Sequence, residues 1–376
     1  MKKIVWLVVL VLVLIVIYSV SGGSKPGVTT GPIKIGVVAP LSGDAGMYGP
    51  QIRAAADHQL KQINDAAGVS GQTFELVYED GKCTGTEAVT AFQKLTDVDG
   101  VRVVIGGFCS SETLAMSPIA NTKQIVLVSN GSSNPKIENE GPYTFSLSYS
   151  DSIVGQQLAK AVSGAKRVAI ITEQNDYNVG IHDVFVESLK QYPGVTLVSD
   201  ETFTKGGSDF RGVLAKMKAT NPDAIVLNPN VGVTAENLLK QLAEMKTWTG
   251  YKLYSQIAYL SDPVRASSGS FSEGMTIIDA PTINDEKFTT ALQAIEANYG
   301  TVKDLGNYYT AATMDAVTVA TTLAKEYGND PVKIQQALST GSWTGYIGQI
   351  QFAGNNFVKF DKSGLYVVQG GKAVLQ

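Results

Sequence analysis

The chain has 376 residues, enough for two domains, and its 44% hydrophobic and 17% charged residues suit a buried core rather than a disordered chain. Lys and Arg total 30 and Asp and Glu 34, and the net charge of −4 removes the electrostatic reason to expect a nucleic-acid partner. With 2 His and 2 Cys, the composition counts against a His-rich metal centre, a zinc ribbon or a disulfide-built miniprotein, and no metal or cofactor is expected.

Lys2 and Lys3 lead into an uncharged, Val- and Leu-rich run over residues 4–18, followed by small residues over 19–27. A positive segment before an apolar one predicts an export signal over residues 1–30, either cleaved or kept as a membrane anchor with a tether. Both outcomes put the body of the protein outside the cytoplasm, in the periplasm or on the outer face of the cell membrane.

Strand and helix signals then alternate. Residues 33–39 predict a strand, 51–67 a helix, 74–78 a strand closed by Glu79-Asp80-Gly81, 86–95 a helix, 101–106 a strand, 113–121 a helix and 125–129 a strand. The alternation restarts with helix 154–163 and strand 167–172, then helix 180–192, strand 195–203, helix 210–220, strand 223–227, helix 235–245 and strands 252–255 and 274–278. Helices over 289–299, 310–327 and 331–339 and short strands over 349–352 and 366–369 close the chain. Continuous apolar strands alternating with helices mark an α/β fold whose parallel sheets are covered on both faces. Two such halves imply two lobes with a cleft between them.

In open α/β sheets, ligands sit at the carboxyl ends of strands, where loops feed helix N-termini. The loops of interest are therefore 40–50, 106–112, 130–135, 173–180 and 228–234, the last carrying Asn230. Phe108-Cys109-Ser110-Ser111-Glu112 opens a helix, and Ser129 to Pro135 is a second loop rich in hydroxyls and amides. Side by side they suit a carboxylate ligand, although Ser110 and Ser133 read equally well as helix caps or turn residues. Tyr48, Tyr177 and Tyr259 are loop aromatics that could wall an apolar side chain. Cys83 and Cys109 either pair in an oxidising space, closing a loop of about 25 residues worth roughly 3 kcal/mol, or leave Cys109 as a nucleophile beside Ser110. His58 and His182 fall on the solvated faces of predicted helices, Asp80 has no base or nucleophile beside it, and no enzymatic activity is expected. The glycines at 43, 46 and 49 do not have dinucleotide-loop spacing.

Several motifs, in order, carry a resemblance. They are Ile35-Gly36-Val37 through Pro40-Leu41-Ser42-Gly43, Tyr48-Gly49, Gly68-Val69-Ser70-Gly71, Tyr78-Glu79-Asp80, Val104-Ile105-Gly106, Cys109-Ser110-Ser111 and Asn134-Pro135. From residue 33 onward the chain resembles the branched-chain amino-acid-type (Leu/Ile/Val-binding-like) periplasmic substrate-binding proteins of ABC transporters, which have the type I periplasmic-binding fold. The resemblance implies two Rossmann-like lobes joined by a three-crossing hinge near residues 149–151, 279–281 and 355–358. The lobes would be 31–149 with 281–355, and 150–280 with 356–376. It also supports a Cys83–Cys109 disulfide. By resemblance, Ser110 and Ser133 hold a ligand α-carboxylate with backbone from Gly131 and Ser132. Tyr48 and Phe108 line the side chain, Tyr177 comes from the second lobe, and Cys109, Asn230 and Gln256 complete the set.

One departure bears on the ligand. The family places an acid after the strand at 252–255 to meet the ligand's ammonium, and here the stretch reads Ser255-Gln256-Ile257-Ala258. Either Asp176, Asp262 or Asp279 takes that role, or Gln256 hydrogen-bonds a neutral group and the ligand is an amide, a urea-like compound, a keto acid or an aromatic acid. The expected function is an extracytoplasmic receptor that captures a small, carboxylated ligand and delivers it to an ABC permease. The alternatives are a ligand-sensing receptor of the same fold, and an exported hydrolase built on Ser110 or Cys109.

Overall fold

The computed structural model describes residues 31–376 apart from 44, 68–70, 247, 281, 301, 303–304, 353 and 361–362, so the expected export segment lies outside the described residues. Five strands form the first sheet: β1 (Ile33–Ala39), β2 (Phe74–Asp80), β3 (Val103–Ile105), β4 (Val126–Ser129) and β5 (Thr144–Ser146). They lie in the order β2-β1-β3-β4-β5, and every pair is parallel. The helices α1 (Gly49–Ala67), α2 (Gly85–Gln93) and α3 (Ser110–Lys123) alternate with them.

The chain crosses at Tyr149 to Asp151 into α4 (Asp151–Ala161), β6 (Arg167–Gln174), α5 (Asp176–Leu189), β7 (Thr196–Thr204), α6 (Arg211–Ala219), β8 (Ala224–Asn228), α7 (Val233–Glu244), β9 (Lys252–Ser255), α8 (Asp262–Ala266) and β10 (Thr276–Asp279). It then returns as α9 (Glu286–Tyr299), α10 (Asn307–Tyr327), α11 (Pro331–Thr340) and the hairpin β11 (Trp343–Gly345) with β12 (Gly348–Ile350). Both α9 and α10 pack on α1. The last strands, β13 (Gly364–Gln369) and β14 (Lys372–Leu375), rejoin the second sheet, whose order is β14-β13-β10-β9-β8-β6-β7.

Strands buried on both faces are what the continuous apolar runs anticipate: all five residues of β8 are buried. The second sheet departs from a purely parallel one, because β13 runs antiparallel to both β10 and β14. In α10, 15 of 21 residues are buried, as expected of a helix that is apolar nearly all round. Its buried hydroxyls turn back on their own helix, Thr313 and Thr321 donating to the Tyr309 and Val317 carbonyls at 2.7 Å each. The third crossing falls beyond Val358. Ser146 N–H donates to the Asn356 carbonyl at 2.7 Å and Val358 N–H to the Ser146 carbonyl at 3.1 Å, so this segment still lies against β5.

Of the two histidines expected on solvated faces, His58 is not on one. His58 is buried because α1 is covered by α10 as well as by the sheet, and burial lowers its pKa. His182 is half-buried between Asp183 and Asp200, at 3.1 and 3.0 Å. Among the described residues no helix is long and apolar enough to cross a membrane, and no group of His, Cys, Asp or Glu could hold a metal.

Candidate functional site

The first-lobe loops are fixed by two carboxylates. Asp80 ends β2 and accepts the N–H groups of Leu41 and Lys82 at 3.0 and 2.9 Å and the Ser42 hydroxyl at 2.5 Å. Burial works to raise its carboxyl, but these hydrogen bonds outweigh that and hold it below the usual value. Asp80 is thus a brace for the loop leading to Tyr48. Glu112, in the first turn of α3, is fully buried and accepts Cys83 N–H and Cys109 N–H at 2.9 Å each. Burial pushes its carboxyl up to about 7 against those bonds. Cys83 and Cys109 form a disulfide across 26 positions, so Cys109 is no free nucleophile.

The second loop folds on its own hydroxyls. Ser129 Oγ accepts the N–H groups of Gly131 and Ser132 at 3.2 and 2.8 Å. Ser132 Oγ lies 2.7 Å from Thr113 Oγ1, behind the loop. Ser110 Oγ accepts from Ser133 and Asn134 N–H at 3.4 and 3.3 Å, joining the two hydroxyl-rich loops. Gly131 is required there: a Cβ would sit 2.4 Å from Phe108 Cδ2, so the Phe108 ring packs directly over it. That ring also meets Tyr48 at 5.4 Å and Tyr309, at the start of α10, at 5.6 Å between centroids. Tyr309 in turn packs on Tyr308, and Tyr308 on Tyr149 at the first crossing.

From the second lobe, Tyr177 in the first turn of α5 donates to Gln256 Oε1 at 3.1 Å. The Gln256 amide is fully used by protein: Oε1 also accepts Ala258 N–H, and Nε2 donates to the Pro229 carbonyl and the Asn228 side chain. It positions Tyr177 and has nothing left for a ligand hydrogen bond. Asn230 lies half-buried with its N–H on Glu173 and its Oδ1 accepting Val231 N–H. Tyr259 is not in the cleft. It is buried in the second-lobe core with Leu238 and Leu242, its hydroxyl on the Ala235 carbonyl, because its short 3₁₀ turn folds back onto α7.

Of the three acids expected to replace the missing one, Asp176 is exposed and Asp262 is an exposed partner of Arg265. Asp279 is buried and accepts a hydrogen bond from the Tyr149 hydroxyl; burial pushes its carboxyl up to about 7. A fourth acid joins Asp279 in the core. Asp151, fully buried at the first crossing, accepts Ser133 Oγ at 2.8 Å on Oδ2, while its buried Oδ1 has no partner. Burial, with Asp279 nearby, raises its pKa well above the usual range. In sequence an Asp after a Ser at a helix start reads as ordinary capping, and nothing local announces its burial. Asp151, Asp279 and Tyr309 all act electrostatically on Tyr177, so residues from both lobes converge on one buried cluster. The lobes are closed over it, Asn134 Nδ2 donating to the Asp176 carbonyl.

A family model described as periplasmic binding protein matches residues 32–372. The leucine-, isoleucine-, valine-, threonine-, and alanine-binding protein of Pseudomonas aeruginosa is 24% identical over 342 residues, 89% of each chain. The substrate-binding protein LivJ from Streptococcus pneumoniae, solved with isoleucine, superposes with a TM-score of 0.77 at 24% identity, over 92% of this chain and 100% of that one. An R. palustris ABC-transporter solute-binding protein, solved with 4-hydroxybenzoate, gives 0.80 at 20% identity, over 92% and 96%. The family match over nearly all the described residues agrees with the two-lobed fold and the closed interlobe cluster, and the chain belongs to the periplasmic binding protein family.

Proposed function

We propose that this protein is an extracytoplasmic receptor that closes on a ligand bearing a protonated amine, of the amino-acid kind, and hands it to an ABC permease. The observation that carries this reading is Asp151: a fully buried carboxyl with one unpartnered oxygen, beside a second buried acid, Asp279. Among the described residues, Asp279 is the charged group acting on Asp151, and no Lys or Arg offsets it. A buried carboxylate without a counter-charge is costly, and a ligand ammonium would supply one. The ligand's carboxylate would lie at Ser110 and the start of α3, and its side chain against Tyr48, Phe108 and Tyr309.

The ring wall around Phe108 favours a second reading, a receptor or sensor for an aromatic acid or an amide, with Asp151 then staying protonated. The work proposed is binding and hinge closure rather than catalysis. The lobes follow the expected division, 31–149 with 281–355 and 150–280 with 356–376, except that residues 356–358 stay with the first lobe against β5; sheet membership of β1 to β5 and of β6 to β10 with β13 and β14 supports it. Residues 1–30 serve as export signal or anchor.

The test is a thermal-shift screen of L-amino acids, small amides and hydroxybenzoates, followed by calorimetry in buffers of different protonation heat. A ligand at 100 times its Kd adds about 2.7 kcal/mol. Stabilisation by amino acids with release of a proton supports the first reading. Stabilisation by amides or benzoates alone refutes it.

A further inference from the structure

Among the described residues, a polar contact at Lys205 joins the lobes away from the aromatic cluster. Lys205, just past β7 in the second lobe, donates from Nζ to the Cys83 carbonyl of the first lobe at 3.2 Å. The same carbonyl accepts the Ser111 hydroxyl at 3.1 Å, which fixes its direction. A buried glutamate stands behind each end. In the first lobe, Glu112 divides its two oxygens between the N–H groups of Cys83 and Cys109. In the second lobe, Glu173 is 1% exposed and divides its oxygens between Gly206 N–H at 3.1 Å and Asn230 N–H at 2.7 Å.

Each glutamate therefore ties together two loops of its own lobe, and one loop from each pair meets the other across the cleft. Burying a carboxylate is unfavourable unless it is hydrogen-bonded. Here the hydrogen bonds hold in place a donor and an acceptor that can meet only when the lobes close. Preorganising both ends lowers the ordering cost of closure.

We propose that Lys205 and the Cys83 carbonyl form a closure latch, with Glu112 and Glu173 as its positioning residues, so that these side chains set the open–closed equilibrium from outside the ligand-lining set. The apparent Kd of a receptor varies inversely with the fraction of its closing-competent state, so a latch mutation weakens every ligand by a similar factor. Loss of one charge-assisted hydrogen bond at a half-buried site corresponds to about tenfold.

The experiment compares the full wild-type chain with Lys205→Met, Lys205→Arg and Glu173→Gln. Small-angle X-ray scattering is recorded without ligand and in a mixture of the standard L-amino acids with 4-hydroxybenzoate, and melting is followed along a titration with the same mixture. The latch predicts a larger radius of gyration for Lys205→Met and a titration midpoint about tenfold higher. It also predicts an unchanged ligand-free melting temperature, partial rescue by Lys205→Arg, and a smaller shift in the same direction for Glu173→Gln. A merely structural role would move the melting temperature and leave the midpoint. Superimposable scattering and midpoints for wild type and Lys205→Met overturn the proposal. If the mixture shifts neither protein, the ligand-free scattering decides, identical curves again overturning it. Should Glu173→Gln fail to fold, the two Lys205 variants carry the test alone. Failure of the amine-ligand reading shows separately, as a panel answering only to amides or benzoates.

Discussion

Asp151→Asn separates a ligand-binding acid from a structural one. The asparagine keeps the shape, and its Oδ1 can still accept the Ser133 hydroxyl, now donated at 2.8 Å to Asp151 Oδ2. The unpartnered oxygen becomes an amide, and one buried acid leaves the pair with Asp279. Without ligand, the variant should be as stable as wild type or more so at neutral pH, because burial already disfavours the charged form of Asp151. With an amine-bearing ligand the sign reverses. Removing one partner of a buried ion pair costs about 3–5 kcal/mol when nothing replaces it. Asp279 remains nearby, so a loss of about 2–3 kcal/mol is expected, or roughly 30- to 150-fold in Kd. Isothermal titration of both proteins with an amino acid found in the screen measures this, and 4-hydroxybenzoate serves as the control that should not weaken. Amino-acid affinity within threefold of wild type, or equal loss for the benzoate, would refute the assignment. A purely structural Asp would lose stability and affinity together.

Three further outcomes follow from the geometry. A Cβ at Gly180 would lie 2.6 Å from Asn134 Nδ2 and 3.0 Å from Pro135 Cδ, so Gly180→Ala should hinder closure and raise Kd about tenfold. The Gly180→Ala/Asn134→Ala double variant should recover part of that in the same titration. Replacing both Cys83 and Cys109 by Ser opens a loop spanning 26 positions and should cost about 3.5 kcal/mol, read by chemical denaturation. Asp279 is held near 7 when folded, above the ordinary carboxylate value near 4, so the folded state binds its proton more tightly than the unfolded one. Its stabilising contribution is complete below about pH 4 and is lost as pH rises through about 7. The stability of Asp279→Asn minus that of wild type should therefore climb by up to roughly 4 kcal/mol over that window. A flat difference in denaturation measured at stepped pH would contradict this.

The alternation of strands and helices was legible because both faces of each sheet are covered, leaving runs such as Ala224–Asn228 with no polar face to confuse the period. The hydroxyl loops were legible for a similar reason. Ser110, Gly131 and Ser133 follow strand ends, and topology alone brings such loops together. What stayed hidden depends on contacts far apart in sequence. Strand β5 is three residues long and exists by pairing with β4. Tyr149 and Asp151 lie at the first crossing and Tyr309 lies inside a helix, so none occupies a loop that would draw attention; Asp279, at the second crossing, is the one buried acid the sequence offered. Gln256 sits where the expected acid would be, yet its amide is consumed by its own lobe, whereas the buried acids arrive from the hinge. Tyr259 was misplaced because a three-residue 3₁₀ turn reads as open loop although its ring is fully buried.

The path of the chain through its two sheets constrains how it can be made. Strand β10 reaches the second sheet by residue 279, but its neighbour β13 is supplied only at Gly364–Gln369, after the whole α9 to β12 excursion. During synthesis, one side of β10 lacks its partner until residues 364–369 have emerged. Pairing of such high sequence separation is slow to form. The second sheet therefore stays open beside β10 until that late segment arrives, whereas all five strands of the first sheet are made by Ser146.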